Sequence, residues 1–136
     1  MPNVRPRLVE LIVCDDVRRE VDNKSSWIGV YPGRVIIVDK FPATFPKLCF
    51  VYLLAEGYGT FAVRHRLLGP EGEEVFISEE GELRIPSEQL SVSLSITCAP
   101  VRFESQGTYL AQLVMDDAPD SALEIGIYVV QQPGEQ

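Results

Sequence analysis

The sequence is poor in the residues on which most enzyme and metal chemistry depends. Its one histidine is His65, and its three cysteines, Cys14, Cys49 and Cys98, stand far apart with no Cys-x-x-Cys pair. A serine or cysteine nucleophile would have to use His65 as its base, and a zinc site would need His65 with all three cysteines. Because His65 lies on the apolar face of its strand, we predict a half-buried residue at a sheet edge. The chain also lacks a Gly-x-Ser-x-Gly elbow and a P-loop, so we predict a non-enzyme without a metal or other cofactor.

Basic residues are also few, with 12 lysines and arginines against 20 aspartates and glutamates and a formal net charge of −8 at pH 7. The arginines are scattered, which argues against a surface for a nucleic acid or an anionic membrane. No apolar run approaches the ~20 residues of a membrane-spanning helix, and residues 1–7 lack the apolar stretch of a signal peptide. Each cysteine lies in an apolar segment, which predicts buried, reduced thiols. We therefore expect a cytoplasmic protein.

The pattern that is present is typical of β-structure. Apolar residues recur with a period of two, and glycine or proline interrupts the chain every ~8–12 residues. Hairpin connections predict a mostly antiparallel, all-β fold of eight to nine strands in two packed sheets. At 136 residues the chain is one domain, 1–136, with short flexible ends at 1–6 and 132–136. The predicted strands are Leu8–Cys14, Ser25–Tyr31, Val35–Val38, Leu48–Ala55, Thr60–Leu68, Val75–Ile77, Leu90–Cys98, Tyr109–Met115 and Leu123–Val129.

Turn and loop signals separate these strands. The polar segment 15–24 reads as a loop, and two prolines argue against regular pairing across residues 41–47. A proline and a glycine predict a hairpin loop at residues 69–72. After Ala99-Pro100 the apolar positions shift by one residue, which predicts a bulge or a crossing between sheets.

Two predicted strands, Val35–Val38 and Leu48–Ala55, are apolar on both faces, although an antiparallel sandwich usually leaves one face polar. Something must therefore cover the second face. One candidate is the chain's own segment 27–31 with two nearby phenylalanines, and the other is a second subunit or a partner protein. Aromatic residues are enriched at interface anchors, and Val51 and Leu53 lie on one face of a doubly apolar strand. The interface candidates are therefore Trp27, Tyr31, Phe41, Phe45, Val51 and Leu53.

Acidic residues form two further features. Asp15, Asp16, Asp116 and Asp117 follow strands, and converging aspartates of this kind hold calcium through oxygen ligands. Aspartates are equally common at turns that need local hydrogen bonds. A glutamate-rich stretch spans residues 71–82; it either maintains solubility and protects an exposed strand edge, or docks a basic partner.

The order of these features resembles an uncharacterised family of small bacterial and phage proteins, a domain of unknown function. The resemblance implies an immunoglobulin-like or C2-like antiparallel β-sandwich, and it implies no activity and no catalytic residue. The matching segments are Leu11-Ile12-Val13-Cys14-Asp15-Asp16, Trp27-Ile28-Gly29-Val30-Tyr31, Phe41-Pro42-Ala43, Leu68-Gly69-Pro70-Glu71-Gly72 and Phe103 with Gly107-Thr108-Tyr109.

Two functional hypotheses follow from the sequence. The first is a non-enzymatic interaction or assembly module of a bacterium or phage, which acts as a homo-oligomer or binds a protein partner, because the first half of the chain is apolar on two faces. The second is a small-ligand or calcium-binding sandwich that uses the strand-end aspartate loops.

Overall fold

The computed structural model describes residues 2–133 and has an all-β, sandwich-like fold, which confirms the predicted class. Its helical segments are short 3₁₀ turns, and no helix in the described part of the chain has the length and apolar character to cross a membrane. The strands within residues 2–133 are β1 (Arg7–Cys14), β2 (Asp16–Arg19), β3 (Ser25–Ile28), β4 (Val35–Val38), β5 (Ala43–Phe45), β6 (Leu48–Ala55), β7 (Gly59–Leu68), β8 (Glu74–Ile77), β9 (Gly81–Ile85), β10 (Val92–Cys98), β11 (Val101–Phe103), β12 (Gly107–Met115) and β13 (Leu123–Gln131).

Two sheets form the body of the molecule. The three-stranded sheet has the order β1-β6-β10, and the larger sheet has the order β4-β13-β12-β7-β8, with β9 also paired to β7. The strand pairs are antiparallel except for β4 with β13, a parallel pair that the hairpin pattern did not predict. The remaining strands form two small ladders, β2 with β3 and β5 with β11.

The main core lies between the inward faces of these two sheets. Strand β7 shows how the sequence produces it, because side chains alternate between the two faces of a strand and every second position of β7 is buried. Those positions are Phe61, Val63, His65 and Leu67. Strand β6 supplies the facing layer, and its buried inward residues are Leu48, Phe50, Tyr52 and Leu54.

The described residues contain more strands than the eight to nine expected, because several strands are too short to show a period. The segment 15–24, predicted to be a loop, contains β2, which pairs with β3. Residues 41–47, where two prolines argued against regular pairing, contain β5. It can pair with β11 because both prolines lie outside its three residues. In β9, Leu83 and Ile85 are buried and alternate with charged residues, which hid the strand in an acidic stretch.

Two predicted connections are confirmed. The chain changes sheets at Ala99-Pro100, because β10 belongs to the three-stranded sheet and β11 pairs with β5. The loop at residues 69–72 joins the antiparallel pair β7 and β8. Near the N-terminal end, Val4 forms an isolated bridge with Tyr58. Of the ends predicted to be flexible, residues 1 and 134–136 lie outside the described residues.

Candidate functional site

The only histidine lies in the middle of the main core. His65 is fully buried, so the expected position half-buried at a sheet edge is wrong. Its Nδ1 shares a hydrogen bond of 2.7 Å with the hydroxyl of Tyr52, and its ring centroid lies 4.5 Å from that of Phe50. Burial lowers the pKa of His65 to about 3, because the charged ring would lose its water. A neutral ring sealed from solvent is poorly suited to exchange protons with a substrate.

The three cysteines are free and buried, as the sequence predicted. Cys14 and Cys49 stand opposite each other on β1 and β6, and the Sγ of Cys49 lies 3.6 Å from the hydroxyl oxygen of Thr97. Burial raises the pKa of Cys14 to about 11 and that of Cys98 to about 12. Because the thiolate is the reactive form, Cys14 and Cys98 are chemically quiet at neutral pH.

The aspartates of the first candidate loop bind groups of their own neighbourhood. The hydroxyl of Tyr31 donates to Oδ1 of Asp15 at 2.8 Å. Nζ of Lys47 lies 2.8 Å from Oδ1 of Asp16, and this hydrogen-bonded cation lowers the pKa of the Asp16 carboxyl. Both carboxylates therefore act in local structure.

The second pair of aspartates lies elsewhere. Oδ1 of Asp116 accepts a hydrogen bond from the backbone N–H of Ala62 at 3.0 Å, and Asp117 is exposed in the same turn. Asp15 follows β1 beside the start of β6, whereas Ala62 lies near the start of β7, at the end where β6 finishes. The two pairs therefore lie toward opposite ends of the sandwich. Within residues 2–133, no group of three or more histidine, cysteine, aspartate or glutamate side chains is placed to hold a metal ion.

The second face of β6 is covered by the chain itself. Val51 is fully buried there with Cys14 and Cys49, in a small second core. Its cover comes from Val17 of β2, in the segment predicted to be a loop. We call the unit of β2 and β3 the hairpin cover. The hairpin cover is closed at its base, where its two ends meet: the backbone N–H of Asp15 donates to the carbonyl oxygen of Ile28 at 2.9 Å.

The other interface candidates lie in three places. Tyr31, Phe41 and Phe45 are half-buried against the main core, and the rings of Tyr31 and Phe45 meet edge to face. Leu53 is half-buried against the second core. Trp27 lies on β3 and is exposed. The structure thus brings three of the aromatic candidates to the core and leaves Trp27 at the surface of the hairpin cover.

Within residues 2–133, the second face of β4 has no such cover. Ile37 is 60% exposed and Tyr128 is 43% exposed. They lie on adjacent strands with Val35 and Val130, because Tyr128 pairs with Val35 and Val130 pairs with Ile37. We call these four residues the β4–β13 patch. In the described residues β4 pairs with β13 alone, so its other edge is free.

Tyr128 was missed by the sequence interpretation, although a signal for it was present. The inward positions of the last strand are Leu123, Ile125, Ile127 and Val129, so the residue between the last two must point outward. An aromatic side chain at an outward position is a recognisable interface feature.

Comparison with known proteins identifies a family whose function is unknown. A search of curated proteins found no match for this chain. The model of a family of unknown function, DUF6941, matches residues 10–128, which include most of the strands described above. The resemblance to an uncharacterised domain family is thereby confirmed. Since the match spans well over half of the chain, the protein belongs to the DUF6941 family.

Proposed function

We propose that this protein is a non-enzymatic interaction module that associates with a second copy of itself through the β4–β13 patch. The observation that carries the proposal is the exposure of Ile37, 60%, beside Tyr128, 43%, where the outer edge of β4 has no partner strand within residues 2–133. Contiguous exposed apolar residues on a soluble domain are typical of interaction sites. The burial of His65, its low pKa and the quiet thiols of Cys14 and Cys98 support a role other than catalysis.

A second copy is the partner that fits this patch best. The chain carries a net charge of −8, so two copies repel each other over most of their surfaces. The patch contains only Val35, Ile37, Tyr128 and Val130, none of which is charged. A two-fold axis beside β4 would place the same patch on both subunits in mutual contact, which is the usual geometry of a homodimer.

The wider setting is part of the same proposal. We infer that the protein works in the cytoplasm of a bacterium or phage-infected cell, as a homo-oligomer or as a repeated subunit of a larger assembly. Three free, buried cysteines suit a reducing compartment. The order of strands and turns, which resembles small bacterial and phage proteins, supports the origin.

Light scattering during size-exclusion chromatography tests the proposal. We expect the wild-type protein to be a dimer and Ile37→Lys to be a monomer, because a lysine would place positive charges against an apolar surface. Ile77→Lys is the matched control, since Ile77 is 45% exposed on β8, outside the patch. A wild-type protein that stays monomeric at high concentration, or an equal effect of both lysines, would contradict the proposal.

A further inference from the structure

Strand β10 is an end strand without the usual protection. It pairs only with β6, and within residues 2–133 its other edge makes no backbone hydrogen bond. Its sequence, residues 92–98, contains no proline and no charged residue, and its register with β6 is continuous, without a bulge. End strands normally carry such devices because unpaired N–H and C=O groups attract further strands.

The opposite end strand of the same sheet shows the contrast. Strand β1 has a register irregularity between Leu8 and Glu10. Beyond it, the carbonyl oxygen of Val13 accepts a hydrogen bond from the backbone N–H of Tyr31 at 2.9 Å. The edge of β1 is therefore partly occupied by the chain's own backbone, and the edge of β10 is open.

Two grooves follow the open edge of β10, one on each side. The first has a volume of about 300 Å³ and is lined by Leu94 and Ile96 of β10 and by Glu79 and Glu82 opposite them. The second has a volume of about 440 Å³ and lies between β10 and the hairpin cover. Ser95 lines both grooves, so the strand edge runs between them.

The two grooves differ in charge. The charged residues that line the first groove are Glu79 and Glu82, and neither forms an ion pair within residues 2–133. The second groove is lined by residues of both signs, Arg19, Glu20 and Lys24, and by the hydroxyls of β10. A strand added to β10 would direct alternate side chains into the two grooves. Long basic side chains fit the first groove, because their apolar stems would cover Leu94 and Ile96 while their charges reach the glutamates.

We propose that the edge of β10 binds an extended segment of a partner protein that carries lysine or arginine at alternate positions, as an added strand. The acidic first groove selects the basic side chains, the mixed second groove accepts small polar ones, and the backbone of β10 supplies the hydrogen bonds. This surface is separate from the β4–β13 patch, so the inference does not depend on self-association.

Fluorescence anisotropy with a labelled, capped peptide of repeated Lys-Thr pairs tests this inference. We expect the peptide to bind the full chain and the corresponding Glu-Thr peptide not to bind. A Lys-Thr peptide with N-methyl groups along one edge has the same charge but cannot complete the ladder. It should bind about tenfold more weakly or worse, since backbone hydrogen bonds are lost.

Two double variants locate the site. Glu79→Gln with Glu82→Gln should weaken binding about fivefold, as expected for two exposed ion pairs. Glu71→Gln with Glu74→Gln changes the net charge equally at a hairpin outside the groove and should leave binding unchanged. Absence of Lys-Thr binding, equal binding of the N-methylated peptide, or equal loss in both double variants would overturn the inference. Ile37→Lys should bind the peptide normally, which separates this result from the self-association test.

Discussion

Strands β6 and β4 share a sequence pattern, but their second faces differ in burial. Both strands are apolar on both faces, yet Val51 of β6 is fully buried whereas Ile37 of β4 is 60% exposed. Two features account for the difference: β6 lies between β1 and β10 whereas β4 is an end strand, and Val17 of the hairpin cover packs over β6. No corresponding residue in the described part of the chain lies over β4. A strand that is apolar on both faces thus indicates that its second face needs cover. Whether the same molecule provides that cover depends on the segments of the chain that fold next to the strand.

A charge on each face should give the largest contrast. Val51→Asp places a carboxylate in the second core without a partner, so we expect the free energy of unfolding to fall by about 3–5 kcal/mol. Ile37→Asp leaves its carboxylate in water, so the fold of the monomer should change by less than ~0.5 kcal/mol. Urea unfolding followed by circular dichroism measures both.

The two aspartate variants should be measured at low protein concentration, so that self-association does not contribute. Val51→Ala serves as the control for lost volume without added charge. A Val51→Asp variant as stable as Val51→Ala would mean that the hairpin cover opens readily and that the two faces are alike.

The stability that comes from the main core should depend on pH, and the stability that comes from the second faces of β6 and β4 should not. The apolar contacts of the outer faces do not depend on protonation, whereas the pKa of His65 falls from 6.5 in the unfolded chain to about 3 in the folded protein. Between these values the unfolded chain binds more protons, so the stability from the neutral His65 is complete above pH 6.5 and declines as the pH falls toward 3. We expect His65 to account for a loss on the order of 3 kcal/mol at pH 4.

Urea unfolding at several pH values measures this loss. His65→Gln keeps a hydrogen-bonding group beside Tyr52 and removes the titration, so its stability should depend less steeply on pH between 7 and 4. Equal slopes for the wild type and His65→Gln would show that His65 has the same pKa in the folded protein as in the unfolded chain.

Thiol labelling should reveal how firmly the hairpin cover is held. Val17→Ala removes apolar contact from the second core, at a cost of about 1 kcal/mol. If the cover opens locally, labelling of Cys14 and Cys49 should become about fivefold faster. Cys98, which belongs to the main core, should keep its rate. Mass spectrometry after timed alkylation distinguishes the three sites.

Val21→Ala provides the matched control, because Val21 belongs to the turn between β2 and β3 and is exposed. It should leave all three rates unchanged. Equal acceleration at Cys98 in Val17→Ala would instead indicate opening of the whole fold.

The sequence predicted what depends on period and turns, and it missed what depends on distant contacts. The alternation in β7 placed His65 on the inward face, but its depth depends on Phe50 and Tyr52 of the other sheet. Val17 stands alone among polar residues, so its role in covering β6 has no local signal. Whether the aspartate pairs converge depends on strand direction, which turn residues do not encode. The outward position of Tyr128, by contrast, could be read from its strand.

The closure of the hairpin cover gives this protein a convenient place for engineering. The chain leaves β1 at Asp15 and returns at Ile28 to the same point, with a backbone hydrogen bond between them. The turn that joins β2 to β3 around Asp22 and Asn23 is exposed. We expect a short tag or a fluorescent reporter placed in this turn to leave the strands of the two main sheets together. Because Asn23 and Lys24 line the second groove of β10, such a reporter should also respond to a bound segment.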